Sequence, residues 1–203
     1  MTDFITTSNP SDLSQNTQSL VGVTPTFKWV KNRPWRLFAF GFGSGLSPLG
    51  PGTVGTLWAW IATLTYHIFY PSLATSESIV LLIAGLILGI VVCGLTGKEL
   101  GKTDHGGIVW DEILAFWLIL FFVIPCSWIV QSLAFVLFRF FDIAKPGPIR
   151  LVDLYFKDWQ PSPRLEPFAA WIRGFGVMVD DLFAALATLM VLSILVRFGV
   201  ISL

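Results

Sequence analysis

Charge is scarce in this chain. Only 13% of its 203 residues are Asp, Glu, Lys or Arg, whereas soluble domains average about 25%. The thirteen basic and thirteen acidic residues cancel to a formal net charge of zero, so the basic excess typical of nucleic-acid-binding proteins is absent. Hydrophobic residues make up 54% of the chain. Composition therefore predicts an integral membrane protein with no nucleic-acid partner.

Cysteine and histidine are also rare, with two of each. Both cysteines, Cys93 and Cys126, lie in apolar runs and fit no metal or disulfide framework, so we expect them to pack as small apolar residues. Residues 1–26 lack the apolar core of a signal peptide. We predict that they form a disordered polar tail and that residues 27–203 form a single membrane-embedded domain.

Long uncharged runs divide that domain into candidate membrane helices. Residues 113–138 carry no charge over 26 positions and would form one helix of about 39 Å, but Pro125-Cys126-Ser127 interrupts them. A hairpin of helices over about 111–123 and 128–142 would place twelve of the thirteen Lys and Arg residues on one face, as the positive-inside rule favours. A single kinked span is the alternative. We predict an all-α, polytopic bundle of about five membrane helices, the other three over about 57–73, 79–95 and 182–198.

Shorter polar segments connect these helices. Basic and aromatic residues alternate over 28–38, which predicts an anchor at the lipid headgroups on the cytoplasmic side. A short turn is predicted at 74–78, and the three prolines within 157–168 predict a surface loop.

Acidic residues gather near the ends of the predicted helices. The stretch 104–112 holds three carboxylates between two apolar segments, and carboxylates so close to hydrocarbon mark ion or substrate sites. Asp180 and Asp181 are predicted at a helix N-terminus, where the dipole favours anions. The alternative is that one or two of the acids only cap helices. Clustered carboxylates need a cation, and Mg²⁺ binds such oxygens together with substrate phosphates. The predicted metal ligands are Asp104, Asp111, Glu112, Asp142, Asp180 and Asp181.

Groups suited to a phosphate flank the acidic residues. Residues 41–56 contain six Gly, two Pro and four hydroxyls, which predicts an irregular backbone whose N–H groups cradle an anion; a flexible linker has a similar composition. A Pro-rich turn carries two cations suited to phosphate, unless they only set topology. His105 is a candidate general acid, with a purely structural role as the alternative. The predicted phosphate-binding residues are Ser44, Thr53, Thr56, Lys145 and Arg150.

Other phosphate-handling chemistries lack their motifs. No Gly-Lys-Ser/Thr follows the Gly-rich segment, as a Walker A loop requires. Neither cysteine is followed by Arg six positions later, no Asp-x-Asp-x-Thr/Val stretch occurs, and no histidine follows Ser-Gly. Attack on a phosphomonoester by metal-activated water remains. The catalytic candidates are Asp111, Glu112, Asp142, Asp181 and His105.

Four motifs occur together and in order: GFGSGLSP with PGTVGT at 41–56, DHGGIVWDE at 104–112, FRFFDIAKPGPIR at 138–150 and GFGVMVDD at 174–181. They resemble the bacterial phosphatidylglycerophosphatase A family over about residues 33–200. The resemblance implies an all-helical protein of the inner membrane that uses Mg²⁺ to convert phosphatidylglycerophosphate to phosphatidylglycerol and inorganic phosphate. Together with the charge distribution, it places the active site on the cytoplasmic face. The segment between Arg150 and Gly174 is longer than the family leads us to expect, and Gly147 stands where a bulkier residue is expected.

Two other functions stay open on the sequence. A related phosphatase acting on another lipid phosphate would carry the same motifs. A small ion transporter lined by carboxylates is expected to hold acids inside its spans and to have an internal repeat, and no repeat is visible.

Overall fold

The computed structural model describes residues 24–70, 75–102, 104–157, 159 and 162–202, and the regular elements within them are all helical. The all-α prediction is therefore confirmed at this level. Most of the predicted tail, position 74 of the predicted turn and part of the predicted loop lie outside the described residues. The α-helices are α1 (Phe27–Lys31), α2 (Pro34–Ala39), α3 (Pro51–Phe69), α4 (Thr75–Leu100), α5 (Trp110–Val123), α6 (Trp128–Ala144), α7 (Pro148–Lys157) and α8 (Ala169–Arg197), with 3₁₀ segments at Gly41–Leu46 and Glu166–Phe168.

The long uncharged run forms two helices, as the hairpin interpretation predicted. α5 ends at Val123 and α6 begins at Trp128, where the Ser127 side chain accepts a hydrogen bond from the Val130 N–H. Arg139, near the end of α6, comes within 3.9 Å of Glu112 at the start of α5. The two helices are therefore antiparallel, and the alternative of one kinked helix is wrong.

Three predicted helix boundaries are wrong, each because the helix begins earlier. α3 starts at Pro51 rather than near residue 57, since proline suits a first helical position and close packing offsets the low helix propensity of the glycines. α4 includes residues 75–78 of the predicted turn. α8 begins at Ala169, so Asp180 and Asp181 lie inside a helix of 29 residues and not at its N-terminus.

Helices α5 and α8 form the centre of the bundle. α5 packs against α3, α4, α6 and α8, and α8 packs against α4, α5, α6 and α7. The side chains of Phe116, Ile119 and Leu120 on α5 are fully or almost fully buried. The core helix that carries Asp111 and Glu112 is thus held from several sides, which fixes where those carboxylates lie.

The N-terminal helices attach to the end of α4. The Arg36 Nε lies 2.6 Å from a carboxylate oxygen of Glu99, and its guanidinium carbon lies 3.8 Å from the centre of the Trp29 ring. Such a cation–π contact adds about 0.5–2 kcal/mol. The predicted headgroup anchor is therefore also a packing element, while its contact with lipid stays a prediction.

Among the described residues, two helices are long and apolar enough to cross a membrane: Ser76–Leu100 and the segment Glu166–Arg197 that contains α8. Large apolar side chains on α4, among them Val80, Leu81, Ile83 and Ile87, are exposed. Soluble monomers rarely expose extended apolar patches, so this surface fits association with a membrane. The five-span arrangement stays a prediction.

We expect Gly174→Ala to destabilise the bundle by about 1–3 kcal/mol, the usual cost of overpacking. A Cβ at position 174 would lie 2.0 Å from the Ile90 carbonyl oxygen, which belongs to the backbone and cannot swing away. Thermal unfolding in detergent measures the effect. Ser193→Thr adds one carbon at an exposed site on the same helix and is the control; equal melting temperatures for the two variants would contradict the prediction.

Candidate functional site

Three carboxylates from two helices form the centre of the site. One carboxylate oxygen from each of Asp111, Glu112 and Asp181 lies within 4.8 Å of the others. Asp111 and Asp181 are only 7% and 3% exposed. We call these three residues the carboxylate cluster. Buried charges so close together repel one another unless a cation lies between them.

The start of α5 places two members of the cluster. Asp111 and Glu112 occupy the first turn of α5, where unpaired N–H groups and the helix dipole favour negative charge. The Val109 N–H donates to the Ala39 carbonyl over 2.9 Å, which holds this turn against the end of α2. Close contact between backbones at Gly45 and Gly107 fixes it further, since a Cβ at Gly45 would lie 2.0 Å from the Gly107 carbonyl oxygen.

Arg139 and Asp142 form the next layer. An Arg139 Nη1 atom lies 2.6 Å from Asp142 and 3.9 Å from Glu112. Both contacts are ion pairs, but Nη1 is not aligned for a hydrogen bond with any described residue. The Asp142 carboxyl also lies within hydrogen-bonding reach of Asp181. Arg139 therefore supplies positive charge to a set of four acids.

Lys145 lies between two other carboxylates. Its Nζ lies 2.7 Å from Asp153 Oδ1 and also donates to Asp180 Oδ2. Burial opposes the charge on Lys145, but the Asp180 carboxylate and these hydrogen bonds outweigh it and raise the pKa of the lysine above its usual value. Lys145 is thus a firmly charged side chain whose charge is already neutralised by protein groups.

A small cavity of about 20 Å³ opens beside the cluster. It has room for about one water molecule or a small ion. Asp111 reaches this space from the cluster, and Arg173 reaches it from α8. Four acids line it in all: Asp104, Asp111, Asp153 and Asp180. We call it the acidic cavity.

The first turn of α3 approaches the cluster from the Gly-rich segment. A Cβ at Gly52 would lie 2.1 Å from Glu112 Oε1 and 3.1 Å from Arg139 Nη2, so only glycine leaves room for this approach. No side chain of the described residues caps α3, which leaves N–H groups of its first turn available to an anion. Two of the predicted hydroxyl donors are already used, because Ser44 donates to Gly41 and the buried Thr56 donates to Gly52.

The other predicted residues lie at the margin. His105 Nδ1 accepts a hydrogen bond from the Gly107 N–H over 3.0 Å. Burial, followed by the Lys102 charge, lowers the pKa of His105 below its usual value, so the ring is neutral at pH 7 with its proton on Nε2. Arg150 is exposed on α7 and Thr53 is half-buried on α3. Their roles in binding or catalysis stay predictions.

Sequence reasoning missed Arg139, Asp153, Arg173 and Gly52. For Arg173 a signal was available in the sequence. Arg173 precedes Asp180 by seven positions, a spacing that places both residues on one face of a helix. Starting the last helix at 182 concealed that spacing. Arg139 and Asp142 likewise have a helical i, i+3 spacing.

A profile of the phosphatidylglycerophosphatase A family matches residues 37–196, which include the four motifs. The chain belongs to this family. The resemblance inferred from the motifs is therefore confirmed, with almost the predicted extent. No solved structure matches the chain.

Individual relatives support the assignment. Phosphatidylglycerophosphatase A of Escherichia coli is 35% identical over 158 residues, covering 75% of this chain and 78% of the relative. The Haemophilus influenzae protein of the same name is 38% identical over 158 residues, covering 78% and 86%. A Bacteroides thetaiotaomicron protein, provisionally named a phosphatidylinositol-3-phosphatase, is 33% identical over 165 residues, covering 78% and 91%.

Proposed function

We propose that this chain carries out the phosphatidylglycerophosphatase reaction of its family with Mg²⁺ held at the carboxylate cluster. The reaction removes the terminal phosphate of phosphatidylglycerophosphate and gives phosphatidylglycerol and inorganic phosphate, a step of phospholipid biosynthesis. Family membership supports the reaction. The observation that carries the metal is the approach of Asp111, Glu112 and Asp181 oxygens within 4.8 Å of one another.

The donor atoms fit a hard divalent cation. Asp111 Oδ1 and Glu112 Oε2 are buried and have no hydrogen-bond partner in the described part of the chain. An orphaned buried carboxylate oxygen is costly, and a cation would satisfy both atoms. Carboxylate oxygens are the ligands that Mg²⁺ prefers. When bound, Mg²⁺ would activate water and offset phosphate charge, with Asp142, Asp180 and Asp104 as further predicted ligands.

The surrounding residues have distinct proposed tasks. The start of α3 lies beside Glu112, and its N–H groups, including that of Thr53, are the proposed ligands of the phosphate oxygens. Arg139 keeps Glu112 and Asp142 in place through its ion pairs. Lys145 binds phosphate only by leaving Asp153 and Asp180, whereas Arg173 lines the acidic cavity without an ion pair to any described residue. A carboxylate of the cluster or His105 takes up the proton of the attacking water.

Helix lengths support a membrane arrangement for this chain. α8 has 29 residues and is about 43 Å long, more than a hydrocarbon core of about 30 Å. Its first part therefore extends beyond the hydrocarbon, which brings Asp180 and Asp181 close to the boundary. α5 and α6 are shorter, and their hairpin returns Asp142 to the same boundary. We propose a multi-pass protein of the bacterial cytoplasmic membrane, with the site facing the cytoplasm.

Helix α7 fits that boundary as well. Leu151, Leu154 and Tyr155 are exposed on it, while Asp153 turns inward to Lys145. A short helix with one apolar and one polar face lies in the headgroup region of a bilayer. It would thus form a wall of the site at the depth of the substrate headgroup.

Metal removal tests the proposal. In detergent with Mg²⁺, we expect the wild-type protein to release phosphate from phosphatidylglycerophosphate; excess EDTA should abolish the release, and added Mg²⁺ should restore it. Phosphate is measured colorimetrically, with an EDTA–Mg²⁺ complex as the control for the chelator itself. Undiminished release in EDTA would exclude the metal-dependent mechanism.

A related phosphatase acting on another lipid phosphate is the second candidate function. The 33% identity to the Bacteroides thetaiotaomicron protein favours it, since the same site would serve any lipid phosphomonoester. Parallel assays with phosphatidylglycerophosphate and phosphatidylinositol 3-phosphate distinguish the two. Ion transport is not supported, because the chain belongs to a phosphatase family.

A further inference from the structure

A second, larger pocket lies between the end of α4 and the start of α8. Its volume is about 120 Å³. Lys98, Lys102 and Arg173 supply its charge, and Gly94, Gly97 and Gly101 leave it open. No described acidic residue lines it. We call it the basic pocket. Its charge and its size suit a polyatomic anion.

The local backbone holds the pocket in shape. The Gly101 N–H donates to the Lys98 carbonyl and the Lys102 N–H to the Gly97 carbonyl, with Gly101 in the left-handed conformation at φ 65°. This is a Schellman cap. It occupies carbonyls that would otherwise repel an anion at a helix C-terminus, and it fixes the backbone from which Lys102 projects.

Arg173 connects the basic pocket to the acidic cavity, because it lines both. The guanidinium has no ion pair within the described residues, and its several N–H donors can serve two anionic groups at once. A ligand with two negatively charged groups on a short linker would therefore place one in the basic pocket and the other at the cation proposed for the carboxylate cluster, with Arg173 between them.

The depth of the pocket indicates which group it takes. The pocket lies where the candidate membrane helix Ser76–Leu100 ends, so it is at the level of lipid headgroups. Phosphatidylglycerophosphate has a phosphodiester at this level and a terminal phosphomonoester joined to it by glycerol. The terminal phosphate would lie at the cation proposed for the carboxylate cluster, since the acidic cavity itself repels anions, and the phosphodiester would reach the adjacent basic pocket.

We propose that the basic pocket is a subsite for the phosphodiester of the lipid substrate, with Lys98, Lys102 and Arg173 as its ligands. The inference rests on the proposed function, which puts the terminal phosphate at the carboxylate cluster. It assigns headgroup selectivity to this pocket, because a lipid with a single phosphate cannot bind at the carboxylate cluster and in the basic pocket at once.

Two inhibitors probe the two spaces separately. Inorganic phosphate competes at the metal site, whereas short-chain phosphatidylglycerol retains only the phosphodiester. We expect the double variant Lys98→Gln, Lys102→Gln to raise both the inhibition constant of phosphatidylglycerol and the KM of phosphatidylglycerophosphate by about tenfold, as expected for lost charge-assisted contacts. The inhibition constant of inorganic phosphate should not change.

Lys28→Gln, Lys31→Gln is the matched control, since it removes two exposed lysines from α1 and leaves the pocket intact. Four results would overturn the subsite: no inhibition of the wild type by phosphatidylglycerol, an unchanged constant in the pocket variant, an equal rise for both inhibitors, or the same rise in the control. Wild-type phosphate release is measured first. Its absence would instead refute the proposed function.

Discussion

Replacing Asp111 by asparagine is expected to reduce phosphate release from phosphatidylglycerophosphate by about a thousandfold or more, equivalent to about 4 kcal/mol of transition-state stabilisation. Asp111 is the residue that belongs both to the carboxylate cluster and to the acidic cavity. The amide keeps the size of the side chain but loses the charge that a metal ion needs. Initial rates at saturating Mg²⁺ measure the loss.

A stability measurement separates a lost ligand from a damaged fold. Mg²⁺ should raise the melting temperature of the wild-type protein, as any ligand of the native state does, and should have much less effect on Asp111→Asn. Without metal, the variant should melt above the wild type, because one of three mutually repelling carboxylates is gone. Glu77→Gln, an exposed acid at the far end of α4, is the control. Wild-type activity in Asp111→Asn would refute the metal-ligand role.

Gly52→Ala should be almost as damaging to activity, with a loss of about a hundredfold, because small displacements of catalytic groups have effects of this size. The new Cβ would lie 2.1 Å from Glu112 Oε1, and the carboxylate would have to rotate away. Since that atom ends a flexible side chain, the fold can adjust. Alanine also favours a helix more than glycine does, so the melting temperature should stay constant or rise.

Gly106→Ala is the control for this variant. A Cβ at Gly106 would have no heavy atom of the described residues within 4 Å. Gly106 nevertheless belongs to the stretch 104–112, which also contains Glu112. We expect its phosphate release to match that of the wild type. If Gly52→Ala stayed as active as Gly106→Ala, the packing of Glu112 against the start of α3 would not matter for the reaction.

The helix order and the hairpin could be predicted because both depend on local signals. An uncharged run of 26 residues is longer than an untilted span needs, and Pro125 with Ser127 marks the interruption. The helix starts were missed where packing outweighed composition. Gly52 and Gly55 weaken an isolated helix, but in the bundle they allow α3 to approach Glu112 and Val109.

The sequence by itself determined the membrane-type composition, the acidic motifs and the family, because each is a property of residue types and spacing. Only the tertiary structure decided which groups meet. It brought together Asp111, Glu112 and Asp181 out of the six candidate acids, paired Lys145 with Asp153 and Asp180, and placed Arg139 and Arg173 nearby. Distances between side chains on different helices depend on where the helices cross. For α4 and α8, the crossing point is set by Gly94 and Gly174, each of which packs against the backbone of the other helix. No local sequence pattern encodes such contacts.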